Sequence, residues 1–231
     1  MAGQEMRIAG ESGEFGAYVA MPAKPAKACL LVIQEIFGVN ANMRAVCDAW
    51  AARGYAALCP DLFWRIEPGV QLTDQSPEEW QRAFDLYKAF DVDQGVRDLA
   101  TSIAFARANL GLRKVGAIGF CLGGLLAYLT ACRTDVDGAA SYYGVGIQDR
   151  LSEAAGLTKP ILLHVAGKDQ FVPGPAQLAI TEGLKLHPLA KVEFYLEQDH
   201  AFARSGGAHF DAEAARLADA RTEAFFAEQL G

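Results

Sequence analysis

Histidine is scarce in this chain, with four among 231 residues, and no two stand at metal-ligand spacing. That argues against a histidine-built metal centre. Cysteine is odd in number (Cys29, Cys47, Cys59, Cys121, Cys132) and forms no C-x-x-C pair. A disulfide framework is therefore not expected, and free thiols in a reducing, cytoplasmic compartment are. Positive charge is in deficit: 21 Lys and Arg against 28 Asp and Glu give a net charge of −7. This excludes a general nucleic-acid or anionic-membrane binder. It leaves room for a small anionic ligand held by local arginines. There is no glycine-rich phosphate loop followed by lysine, no repeat and no low-complexity tract. The first 27 residues carry Glu5, Arg7, Glu11, Glu14, Lys24 and Lys27, so no apolar signal-peptide core is present. Neither metal nor cofactor is expected.

Long uncharged runs are also rare. One of 18 residues, Val115–Cys132, reaches the minimum for a membrane span. Gly116, Gly119, Gly123 and Gly124 interrupt it, and it reads better as a buried strand followed by a helix.

What the chain does have is apolar bulk, 52% hydrophobic against 21% charged residues. Its length can bury about three quarters of the unfolded surface. No linker is evident, so a single domain over 1–231 is expected. Short β-rich runs alternate with helical patterns. Strands are expected at Ala28–Gln34, Tyr55–Cys59, Lys114–Gly119, Gly138–Tyr142, Ile161–Ala166 and Val192–Leu196. Helices are expected at Met43–Arg53, from Ser76 to Asn109 with a break near Asp91, and at Leu122–Cys132, Gln177–Leu186 and Ala212–Gln229. Met6–Val19 adds an antiparallel hairpin at one edge. This is the pattern of an α/β fold with a mostly parallel sheet and helices on both faces. In such sheets, ligands bind beyond the carboxyl ends of the strands.

Gly119-Phe120-Cys121-Leu122-Gly123-Gly124 falls where a strand hands over to a helix. G-x-C-x-G is the cysteine counterpart of the G-x-S-x-G elbow, in which glycines make room for a nucleophile on a sharp turn. The helix starting at Leu122 directs its first N–H groups toward the sulfur. The pentapeptide alone fits a small buried cysteine equally well. The other four cysteines lie inside apolar patterns and read as core.

An elbow nucleophile needs a base, and the base an orienting carboxylate, in the chain order nucleophile, acid, histidine. Asp169 follows the Ile161–Ala166 strand, and His200 follows Val192–Leu196. His164 lies within a strand and reads as a satisfied core residue. His187 sits at a helix end, and His209 in a glycine-rich stretch that follows no strand. Asp199 adjoins His200 and is poorly placed to face it.

With these residues the chain resembles the dienelactone hydrolase family of the α/β-hydrolase fold. The resemblance runs through Gln34–Asn40, Gly54–Leu62, Gly119–Gly124, Tyr142–Gly146, Gly167–Pro173 and His200–Arg204, nearly the whole chain. It implies that Glu35 takes the thiol proton when substrate binds and that the N–H groups of Leu122 and Ile36 form an oxyanion hole. It implies that Arg204 holds a substrate carboxylate and that Tyr142, Phe37, Trp80, Phe84 and Tyr87 line the pocket. The family's second carboxylate-binding arginine has no ungapped counterpart: Trp80 takes its place, with Arg82 two residues on. A helix turns about 100° per residue, which aims Arg82 elsewhere unless the local register shifts; with that shift Arg82 is the second substrate-binding arginine.

The implied activity is opening of a small anionic lactone or ester by a Cys121-His200-Asp169 triad through a thioester, in a monomer. A broader carboxylesterase or thioesterase is the first alternative. A non-catalytic thiol binder or redox sensor is the second, though Cys132, about 16 Å along the same helix, cannot resolve an oxidised Cys121.

Overall fold

The computed structural model describes residues 3–231. Eight strands form one sheet in the order β1-β2-β4-β3-β5-β6-β7-β8, flanked by helices. The chain divides into two compact units, one ending at Gly116 and the other running Ala117–Gly231.

In the N-terminal unit, β1 (Gln4–Gly10) and β2 (Gly13–Ala20) form the expected antiparallel hairpin, and β2 pairs antiparallel with β4 (Ala56–Pro60). β4 runs parallel to β3 (Cys29–Ile33). Both β3 and β4 are buried at every position. A strand with no exposed side is covered on both faces, which is why the two read as unbroken apolar runs. α1 (Ala41–Ala52) packs on β2, β3 and β4, and ends at Gly54, whose φ of 94° suits glycine. The break near Asp91 is real. α2 (Pro77–Ala89) is capped by Ser76, and α3 (Val92–Asn109) by the Asp91 side chain, which accepts from Gln94 N–H at 2.9 Å.

β5 (Val115–Phe120) carries the unit boundary. It is followed by α4 (Leu122–Arg133), so the 18-residue uncharged run is split at Cys121. No helix among the described residues is long and apolar enough to cross a membrane. β6 (Gly138–Tyr142), β7 (Ile161–Ala166) and β8 (Ala190–Tyr195) run parallel. α4 and α6 (Ala212–Leu230) pack on β6, and α6 also on β7.

Most boundaries differ from expectation by a residue or two, and for β8 and α5 the cause is visible. β8 stops at Tyr195, because Leu196 turns outward to begin the loop. α5 (Gly174–Leu184) starts three residues early, with Pro173 and Pro175 preset at its first turn. A 3-10 helix at Ile147–Gly156 was not anticipated. It follows Gly146, at φ 98°, and buries only Ile147 and Ala154, too few for a legible period.

Candidate active site

The turn between β5 and α4 is built as the glycine pattern requires. Cys121 adopts φ 57°, ψ −116°, a conformation that non-glycine residues rarely occupy and that costs of order 1–3 kcal/mol. Its carbonyl accepts from Gly124 and Leu125 N–H, and its own N–H donates to the Tyr142 carbonyl at 3.0 Å. A Cβ on Gly119 would sit 1.9 Å from the Gly123 carbonyl oxygen. One on Gly124 would meet the Tyr142 oxygen and Gly144 Cα at 2.7 Å. The turn therefore needs glycine at 119 and at 124. Leu122 opens α4, so its N–H has no intrahelical acceptor. No side chain caps this helix.

Asp169 and His200 come together from the loops after β7 and β8. These loops are zipped: Gly167 N–H donates to the Tyr195 carbonyl (2.8 Å) and Lys168 N–H to that of Gln198 (2.8 Å). Gln177 of α5 donates to the carbonyls of Gly167 and Val172, fixing the acid loop from behind. Asp169 Oδ1 accepts from the N–H groups of Phe171 (2.8 Å) and Val172 (3.1 Å), leaving Oδ2 for His200 Nδ1 at 2.7 Å. Cys121 is the other group that acts on this imidazole. All three residues are buried.

Burial alone would lower the His200 pKa. The negative charge of Cys121 and the hydrogen bond and charge of Asp169 outweigh it and push the value up to about 10. The remaining cysteines look like core. Burial raises the thiol pKa of Cys29 to about 12 and that of Cys132 to about 11, and that of Cys47 also goes up. Buried thiols of this kind are inert.

Sequence reasoning missed two rings. Tyr143 and Phe171 meet the His200 imidazole edge-on, at 5.0 and 4.8 Å between centroids. Tyr143 has φ 39°, and Ala201, after His200, φ 63°. These two and Cys121 are the positive-φ non-glycine residues among those described. Tyr142, expected in the pocket, is wholly buried, and its hydroxyl bonds to Thr222 and Asp219 of α6. Tyr143, and not Tyr142, faces His200. Arg204 is buried too, folded over Gly207, and not an exposed loop charge.

The other candidates belong to the N-terminal unit. Glu35 and Ile36 follow β3 and are buried. The Gln34 side chain accepts from Leu62 N–H (3.0 Å), which pins the segment leading into them. Phe37 meets Trp80 edge-on at 5.0 Å, and Trp80 lies 5.5 Å from Phe84, so these three form one aromatic cluster. Tyr87, one turn beyond Phe84, is partly exposed. Arg82 lies on another side of α2, half exposed and ion-paired to Glu67, as the helical register predicts. Among the described residues, no group of three or more His, Cys, Asp or Glu could hold a metal ion.

The sheet order and the nucleophile turn define an α/β-hydrolase fold. Known proteins refine this. The dienelactone hydrolase family model matches residues 15–230. The "Putative carboxymethylenebutenolidase" of Azospirillum brasilense is 50% identical over 229 residues, covering 96% of this chain and 97% of that protein. The carboxymethylenebutenolidase of Pseudomonas putida is 44% identical over 214 residues, covering 92% and 91%. The crystal structure of a "Putative Dienelactone Hydrolase" from Klebsiella pneumoniae superposes with a TM-score of 0.86 at 26% identity, covering 97% and 98% of the two chains. The chain belongs to the dienelactone hydrolase family and is a carboxylic-ester hydrolase.

Proposed function

We propose that this protein opens small carboxylate-bearing lactones of the dienelactone type, with Cys121 as nucleophile. The observation that carries the reading is the buried acid–imidazole pair, with Asp169 Oδ2 at 2.7 Å from His200 Nδ1, on an imidazole whose pKa Cys121 does most to raise. The Cys121 sulfur attacks the lactone carbonyl, and a carbon–sulfur bond forms. The oxyanion is held by backbone N–H groups, that of Leu122 first and that of Ile36 with it. The ring carbon–oxygen bond breaks, and the leaving oxygen takes a proton from His200. Water then adds to the thioester and gives a proton to His200, the carbon–sulfur bond breaks, the sulfur takes back the proton held by Glu35, and the open-chain acid leaves. Glu35 takes the thiol proton when substrate binds.

An anionic substrate is favoured by Arg204, a buried guanidinium four residues past His200. A cation in that setting is stabilised by a carboxylate, which its fork matches with two bonds. The test is a panel of cis-dienelactone, trans-dienelactone and a neutral aryl ester of similar size. Lactone opening should dominate and should vanish in Cys121→Ala. A preference for the neutral ester would replace this reading with the broader carboxylesterase, which the engagement of Arg82 by Glu67 favours.

A further inference from the structure

The C-terminal unit holds a second buried polar cluster, against α6, that the scheme above does not use. Its two ends are charged. Arg221 Nη1 donates to the Tyr195 hydroxyl at 3.1 Å, and the Tyr142 hydroxyl donates to Asp219 Oδ1 at 3.1 Å. Between them, His164 Nδ1 lies 2.8 Å from the Tyr195 hydroxyl, and His164 Nε2 lies 2.8 Å from Thr222 Oγ1. Thr222 Oγ1 lies 2.7 Å from the Tyr142 hydroxyl.

The direction of every bond follows from the ends. A guanidinium only donates, a carboxylate only accepts, and each hydroxyl has one hydrogen. Tyr142 gives its hydrogen to Asp219, so it accepts from Thr222. Thr222 has then used its hydrogen and accepts from His164 Nε2–H. A neutral His164 has a bare Nδ1, which takes the hydrogen of Tyr195, and Tyr195 accepts from Arg221. All groups are satisfied by one tautomer. Burial first, then the charges of Arg221 and Lys191, lower the His164 pKa to about 3, so the ring is neutral at working pH. Glu193 and Asp219, the acids on the neighbouring elements, are engaged by Arg221 and Tyr142 respectively.

We propose that this one-way chain, centred on His164 and Thr222, is a positioning device that sets the ends of β6, β7 and β8 for the triad. Each strand residue in it turns its side chain to the chain and its carbonyl to a triad-bearing segment. The Tyr142 carbonyl holds Cys121 N–H (3.0 Å). The His164 carbonyl holds the N–H of Tyr143 (2.8 Å), whose ring touches His200. The Tyr195 carbonyl holds Gly167 and Gln198 N–H (2.8 and 3.1 Å), at the roots of the acid and histidine loops. The inference rests on the triad reading above.

The wild-type protein is tested first, by ¹⁵N imidazole NMR. His164 should show a protonated Nε2 and a bare Nδ1, unchanged from pH 5 to 8; an Nδ1–H form, or titration in that range, overturns the chain. Thr222→Val and Thr222→Ser are then compared on a neutral aryl ester, with melting recorded alongside. Val should lower kcat roughly ten- to a hundredfold at unchanged KM, since small misplacements of a site act on kcat. Ser should restore it. Wild-type kcat in the Val variant, or a Ser variant as slow as Val, overturns the positioning role. Aryl-ester activity surviving in Cys121→Ala would instead sink the triad reading, and the imidazole spectrum would still judge the chain.

Discussion

Asp169 Oδ2 stands 2.7 Å from His200 Nδ1, while its other oxygen is occupied by two backbone N–H groups. The carboxylate cannot rotate without giving up those bonds, so it fixes the orientation of the imidazole. Asp169→Asn keeps the shape but can offer an N–H where an acceptor is needed. Turnover should fall on the order of 10³- to 10⁴-fold, read as kcat on dienelactone. A loss under about tenfold would mean that the acid does not orient His200.

On the proposed scheme Cys121 and His200 act on one proton and one bond, so their deletions should not add. Cys121→Ala and His200→Ala should each take the rate close to background, and the double variant little further. The check is the logarithm of kcat for all three variants against wild type. Additive losses would show His200 working apart from Cys121.

The His200 pKa, raised to about 10, carries a stability consequence. A histidine raised above its unfolded value of 6.5 adds stability that is full below pH 6.5 and lost as pH rises through about 10. Because the Cys121 charge is the strongest raising influence, Cys121→Ala should lower the His200 pKa, followed by imidazole NMR, and weaken that dependence. An unchanged pKa would place the cause elsewhere.

Much of the fold was legible, and the proposed site residues stand where local rules put them. Cys121 is marked by glycines that the backbone must have, and Asp169 and His200 each follow a strand in the chain order the fold demands. What was not legible depends on three-dimensional choices. Tyr142 and Tyr143 are adjacent at a strand end, and alternation puts them on opposite faces without saying which meets His200. The φ of 39° at Tyr143 lies outside any strand pattern. Arg204 lies in a loop outside any strand or helix pattern, so nothing local in the sequence marks its burial. His164 could be read as satisfied, but its partner Thr222 is 58 residues away on a helix with no marker of that role.

Gly119 shows how the fold and the chemistry constrain one another. The Gly123 carbonyl lies 1.9 Å from where a Cβ would be, and backbone at that point cannot yield without moving the nucleophile. Gly119→Ala should therefore cost at least about 2 kcal/mol, seen as a lower denaturation midpoint, and should slow any folded fraction. A midpoint like that of wild type would show that the elbow relaxes freely.

Charge recognition gives the last expectation. Arg204 is buried beside His200 in sequence, whereas Arg82 is half exposed and held by Glu67. Exposed ion pairs contribute little, and a guanidinium already paired in water has small gain from a second carboxylate. Arg204→Ala should raise KM for carboxylate-bearing lactones about tenfold, or about 1.4 kcal/mol, and leave a neutral ester nearly unchanged. Arg82→Ala should cost less than that on the charged substrate. The measurement is KM for matched charged and neutral esters in both variants. If Arg204→Ala treats the two alike, the anionic-substrate reading fails, because no buried cation would then be distinguishing substrate charge.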